Sequence, residues 1–264
     1  MRIISLVPSH TEILFALGLG DQVVGVTKHC DYPPEVDGIE RVSSFGNPGA
    51  EKIISLRPDL VLIDSRLQGG CAKELKRAGI RIFDFFPFTL DDLFSGMEEI
   101  SCITGAGDAA RQLIEDLRTK AKNLSAEAKP LPPRKLMFVM GGEALSTPGP
   151  ASMQYGAFSY LGFELYPGAC HISYTPITWD DVACFDPEIL LVCGRFPGDE
   201  ERKRCHGCHM KNRPCTRDVE SVYQNSDLSG VSALQKRHVF TVPCRFFCRP
   251  GPRLLEGMEW LVGL

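Results

Sequence analysis

No apolar run in this chain approaches the ~20 residues that a membrane-spanning helix requires, so no span is predicted. Charge of either sign is not in excess. Lys and Arg total 29 against 33 Asp and Glu, and a formal charge of -4 gives no general attraction to nucleic acid or an acidic membrane. A phosphate-cradling loop is missing: "GAGDAAR" at Gly105 opens a helix but carries no lysine after its glycines. No nucleophile–base motif supports hydrolytic or phosphoryl-transfer chemistry. No export leader is read either. Met1-Arg2 leads directly into Ile3–Val7, too short an apolar stretch for a signal core, which predicts a cytoplasmic protein. The eleven cysteines are odd in number, and 264 residues bury a core without staples, so a closed disulfide framework is not expected.

What is present alternates strand and helix. The apolar run Ile3–Val7 reads as a buried strand bounded by Pro8. Ser9 followed by Glu12 has capping-box spacing for a short helix that Gly18 or Gly20 closes. Val23–Thr27 is a second strand. "GAEKIISLRPDLVLID" predicts a helix, a Pro58-Asp59 turn and the strand Leu60–Ile63, and "CAKELKRAGIRIFDF" repeats the theme with a strand from Ile80 to Phe85. Residues from Leu90 to about Ala128 have helical spacing and end at "PLPP". The alternation then restarts with "KLMFVMGG", "YGAFSYLGF", "TWDDVACFDPEILLVCG", "HVFTVPC" and a terminal helix in "PGPRLLEGMEWLVGL". "LRPDLVLID" and "FDPEILLVCG" hold the same place in each half, so two pseudo-equivalent lobes are expected. Cys102 and Cys184 read as core fillers.

Taken together, "RIISLVPSHTEILFALGLGDQVVGV", "EKIISLRPDLVLID", "WDDVACFDPEILLV" and "RPGPRLLEGMEWL" resemble the helical-backbone substrate-binding proteins of ABC importers, nearest to cobalamin- and iron-siderophore-binding members. The resemblance covers most of residues 1–195 and 229–264. It implies an α/β fold of two Rossmann-like lobes with mainly parallel sheets, joined by one long helix. The lobes would span 1–104 and 130–264, the helix 105–129, and a cysteine-rich insert 196–228. It also implies a metal chelate gripped between the lobes.

Ligands of open α/β sheets sit beyond the carboxyl ends of the strands. A flat chelate needs aromatic walls, for which Tyr32, Phe45, Tyr155, Tyr174, Trp179 and Phe246 are candidates, with Phe86 beside them. Arg66, Arg195 and Arg245 suit carboxylate or phosphate groups. Ser9 and His10 sit on the first such loop. His10, His29 and His171 have the imidazole that cobalt or iron accepts, and Cys30 is a second soft donor.

The segment "CGRFPGDEERKRCHGCHMKNRPC" follows the second lobe's Pro-acid strand. Cys205-x2-Cys208-x6-Cys215 is a chelating spacing for zinc or one edge of an iron–sulfur cluster. Cys193, Cys244 or Cys248 could complete it, or His206 or His209 for zinc. The surrounding Arg202, Lys203, Arg204, Lys211, Arg213 and Arg217 favour thiolates. "CHGCH" also fits the c-type haem pattern, whose attachment normally follows export. An all-cysteine, four-iron cluster is the preferred reading, with zinc the alternative.

The expectation is therefore a cytoplasmic clamp for a corrinoid or other tetrapyrrole chelate, bearing an iron–sulfur cluster and served by a redox partner. Two alternatives stand beside it: an iron–sulfur redox enzyme or metallocofactor-assembly factor, and an ordinary ABC-importer solute-binding protein for cobalamin or siderophore.

Overall fold

A computed structural model describes residues 1–44, 46, 48–128, 134–141, 144–193 and 219–264. These form two units. The first comprises Met1–Pro87, Asp91–Thr119 and Arg249–Pro252; the second comprises Phe88–Leu90, Lys120–Cys248 and Arg253–Leu264.

In unit 1, β1 (Ile3–Ser5) leads into α1 (Pro8–Ala16), followed by β2 (Val23–Thr27), β3 (Arg41–Ser43), α2 (Ala50–Ser55), β4 (Leu60–Ile63), α3 (Ser65–Arg77) and β5 (Ile82–Asp84). The strands form one parallel sheet in the order β3-β2-β1-β4-β5. Its central strands β1 and β4 are buried along their whole length, as a sheet covered on both faces requires. Ile4, Val61 and Ile63 pack with Ile53 of α2 and Ala72 and Leu75 of α3 in one cluster. α4 (Leu90–Thr104) and α5 (Gly107–Ala128) follow. At Gly96 an added Cβ would come within 2.1 Å of the Phe85 ring, so glycine lets α4 lie directly on that side chain.

Unit 2 takes the second part of α5, then β6 (Lys135–Gly141), β7 (Leu145–Pro148), α6 (Met153–Tyr160), β8 (Glu164–Leu165), β9 (Tyr174–Ile177), α7 (Trp179–Phe185) and β10 (Ile189–Cys193). α8 (Val219–Tyr223), α9 (Ser232–Gln235), β11 (Val239–Val242), α10 (Cys244–Phe247) and α11 (Leu254–Val262) complete it. The sheet runs β11-β10-β6-β7-β9. β11, β10 and β6 are parallel, β7 pairs antiparallel with β6 and β9 antiparallel with β7, and β8 pairs parallel with β6.

One device recurs where helices hand over to strands. Arg57 before β4, Asp186 before β10 and Arg237 before β11 all have φ between 48° and 58°, and Gly79 before β5 has φ 75°. A left-handed residue ends a helix and turns the chain back toward the sheet. Arg57 and Asp186 stand immediately before the Pro-acid pairs of the two halves, so the equivalence predicted there extends to the backbone.

Several expectations are corrected. The Ser9–Glu12 capping box does not form: Pro8 occupies the first turn, Val7 is the cap residue, and Ser9 lies inside the helix. Proline suits that position because its missing N–H would have no helical partner. Cys102 and Cys184 are exposed rather than core. The buried face of α4 is Leu90, Leu93, Phe94, Met97 and Ile100, and residue 102 falls off that helical stripe. Among the described residues the buried thiols are instead Cys30, Cys71 and Cys193. Residues 145–148 and 174–177, the latter expected to be loop, are strands. The described end of the cysteine-rich stretch supplies Val222 and Leu228 to the core of unit 2.

Candidate functional site

The strand order of unit 1 reverses between β1 and β4, and such a switch point leaves a crevice beyond the carboxyl ends of those two strands. Asp64 directly follows β4 and is almost fully buried. Its carboxylate caps α3 by accepting from the Arg66 N–H at 3.1 Å, and also takes Arg66 Nε and Nη2, each at 3.0 Å. This fixes the guanidinium over the Phe86 ring, with Cζ 3.1 Å from the centroid. Next to it, Ser65 donates from its N–H (2.9 Å) and its hydroxyl to the two oxygens of Asp84, tying the ends of β4 and β5 together. The result is a cation held over an aromatic ring at the rim of the sheet.

Gln68 is a site residue that sequence reasoning missed. Buried at a kink in α3, it donates to the Leu6 carbonyl (3.0 Å) and accepts from the Asp64 N–H (3.3 Å), joining the loops after β1 and β4. Its sole sequence signal is an amide four residues after the capping Asp64.

Ser9 and His10, expected on the first loop, are buried in α1. His10 Nε2 donates to the Phe85 carbonyl at 2.9 Å, which leaves Nδ1 as the acceptor, and Nδ1 has no hydrogen-bond partner among the described residues. Burial drives its pKa down to about 4, against the opposing pull of the Phe85 carbonyl, Asp64 and Asp84. The imidazole is a neutral link between α1 and the end of β5.

After β2, His29 is half-buried and Tyr32 is 40% exposed. Cys30 is a core thiol rather than an open soft donor. It lies 3.1 Å from the Thr11 hydroxyl and 3.2 Å from that of Thr27, and burial pushes its pKa up.

In unit 2, Tyr155 is half-buried in the first turn of α6, where its N–H meets the capping Ser152 hydroxyl at 3.3 Å. Tyr174 is 46% exposed on the sheet-edge strand β9, its hydroxyl 3.5 Å from Gln154 Nε2. His171 is exposed on the preceding loop. Trp179 opens α7 and packs against the core. Arg245 lies over Phe246 at 5.2 Å, and Phe246 in turn meets Trp260. The structure thus joins Arg66 with Phe86 and Arg245 with Phe246, each within its own unit.

Among the proposed metal ligands, Cys193 is the buried last residue of β10 and Cys248 is half-buried after α10. Cys205, Cys208, Cys215, Arg195 and Phe45 lie outside the described residues, as does the side chain of Cys244. Among the described residues no three His, Cys, Asp or Glu side chains converge on a metal position.

Comparisons with known proteins follow the same architecture. A family profile described as "Periplasmic binding protein" matches residues 3–245. An ABC transporter substrate-binding lipoprotein, YvrC, of Bacillus subtilis is 28% identical, across 98% of this chain and 78% of its own. The vitamin B12-binding protein of Vibrio cholerae is 26% identical across 98% and 86%. Among solved structures, the periplasmic vitamin B12 binding protein BtuF of V. cholerae superposes with a TM-score of 0.81 at 24% identity, covering 99% of this chain and 95% of its own. The periplasmic heme binding protein HutB of that organism gives 0.81 at 20%, covering 100% and 98%. These relatives overturn the expected cytoplasmic location, since they are by name periplasmic or a lipoprotein. The short run before Pro8 is therefore no guide to compartment.

Proposed function

Because the chain belongs to the periplasmic binding protein family, we propose that it is the extracytoplasmic solute-binding protein of an ABC importer, taking a metal chelate of the cobalamin, heme or iron–siderophore kind. The observation that carries this reading is Arg66, locked onto Phe86 by the buried carboxylate of Asp64 at the rim of unit 1. A flat ligand edge with acidic or amide substituents meets there an aromatic face and a guanidinium whose orientation is already fixed, which lowers the ordering cost of binding. Tyr32, exposed after β2 in the same unit, adds a second ring. The family match favours this transport reading over the redox enzyme.

Titration of the purified protein with cyanocobalamin, hemin and a ferric siderophore, followed by tryptophan fluorescence, tests it. At least one should bind with Kd of about 1 µM or tighter, and Phe86→Ala should weaken that Kd about tenfold. Failure of all three to bind at 100 µM would remove the reading.

The cysteine spacing supports a thiolate centre as a further proposal within the same protein. Anaerobic purification with iron and zinc analysis tests it, with metal expected at about one site per chain and lost in Cys205→Ser. Metal-free protein would dispose of it.

A further inference from the structure

We propose that Arg249 is a positioning residue for the ligand-facing loop that follows β2, acting through Asp31. This rests on reading Tyr32 as part of the chelate site.

Arg249 belongs to a four-residue segment, Arg249–Pro252, that packs in unit 1 although the residues on both sides of it belong to unit 2. Its guanidinium is directed at two carboxylates. It forms a two-pronged pair with Asp31, Nη1 meeting Oδ1 and Nη2 meeting Oδ2 at 3.1 Å, across 218 residues of sequence. Nη1 also stands 3.8 Å from Glu12 Oε1. The Glu12 side chain is 2% exposed and that of Arg249 13%. A carboxylate so deep in α1 needs a cation, and Arg249 supplies it. Gly251 follows closely, with room for a Cβ 3.6 Å from the Ser9 carbonyl and Glu12 Oε2.

Asp31 is held while the residue before it is pinned from other directions. Arg41 Nη1 donates to the Cys30 carbonyl at 2.5 Å and to the Thr27 carbonyl at 3.2 Å, and the Thr11 hydroxyl meets Cys30 Sγ. Side chains from α1, from β3 and from beyond α10 therefore converge on Cys30 and Asp31, and the next residue outward is the exposed Tyr32. Connecting loops are ordinarily the mobile parts of a fold. Restraint at this depth on two successive residues fixes where the Tyr32 ring stands before a ligand arrives, which spares that ordering cost on binding. The fork of arginine matters as well as its charge, because an ammonium cannot bond both oxygens of Asp31 in one plane.

The test uses Arg249→Lys and Asp31→Asn. Lysine keeps a cation beside Glu12, and asparagine leaves the Glu12–Arg249 pair intact, so both variants fold where Arg249→Met is at risk. Amide hydrogen exchange of residues 28–32 should quicken about tenfold or more in each variant. The Kd of whichever probe the wild type binds, cyanocobalamin or hemin, should rise about tenfold. The double variant should be no worse than either single one, since both remove the same link. Unchanged exchange in both variants would overturn the proposal. So would additive losses of affinity in the double variant. Exchange is read without ligand, so a wild type that bound neither probe would count against the chelate reading while the role of Arg249 was still judged.

Discussion

His10 uses its one donor on the Phe85 carbonyl and is kept neutral by burial, with a pKa lowered to about 4 from 6.5. Asp64, Asp84 and the Phe85 carbonyl all favour the cation, and desolvation outweighs them. Between pH 6.5 and about 4 the unfolded chain takes up a proton at this residue and the folded chain does not. Stability should therefore fall as pH drops through that window, by about 3 kcal/mol in all from this group. Urea unfolding midpoints from pH 7 to 4.5 check this. His10→Gln, which keeps an N–H for Phe85, should flatten the slope, and an unchanged slope would place the pH dependence elsewhere. The sequence showed His10 on the loop after the first strand. What it concealed is that Pro8 starts the helix, so that Ser9 and His10 turn inward and Glu12 becomes a buried partner for Arg249 instead of a cap. Pairings over such distances leave no trace in local spacing.

Elements were more legible than contacts. Strand β4 begins and ends where its apolar run does, since a parallel strand buried on both faces reads as a continuous apolar run, and β2 follows its own run with Thr27 added at the end. β7 and β9 escaped notice because they are four residues each and contain Pro148 and Pro176, which weaken any strand reading. The left-handed turns before the strands were half legible: a Pro-acid pair marks two of them, but only Gly79 advertises its conformation. Arg57 carries that conformation with a Cβ, so Arg57→Gly should raise stability by about 0.5–1 kcal/mol, read as a higher thermal midpoint. Asp186 differs. Its carboxylate accepts from the Ser232 N–H at 2.7 Å and hydroxyl at 2.9 Å, tethering α9. Asp186→Gly should destabilise by about 1–2 kcal/mol despite relieving the turn, and a gain there would mean that backbone strain outweighs the tether.

For the molecule as a whole, sequence spacing anticipated two α/β units, yet neither is a continuous stretch. The chain passes between them after Pro87, Leu90, Thr119, Cys248 and Pro252. In unit 2, Phe88–Leu90 lies so close to α6 that a Cβ on Gly156 would be 2.3 Å from the Phe88 carbonyl oxygen. Both tryptophans, Trp179 and Trp260, belong to unit 2, so their fluorescence reports that unit while far-UV circular dichroism reports both. Interleaved segments should make the two transitions coincide in urea. Arg249→Met should lower both midpoints together, although the carboxylates it abandons are in unit 1. Fluorescence that ignored the substitution would show the units melting separately. The arrangement also bears on how the protein is made. A ribosome delivers Glu12 and Asp31 early and Arg249 late, so the pairs between them close only when residue 249 has followed. Unit 1 thus receives one of its own largely buried side chains only after most of the sequence has been made, so its last contacts form late in synthesis.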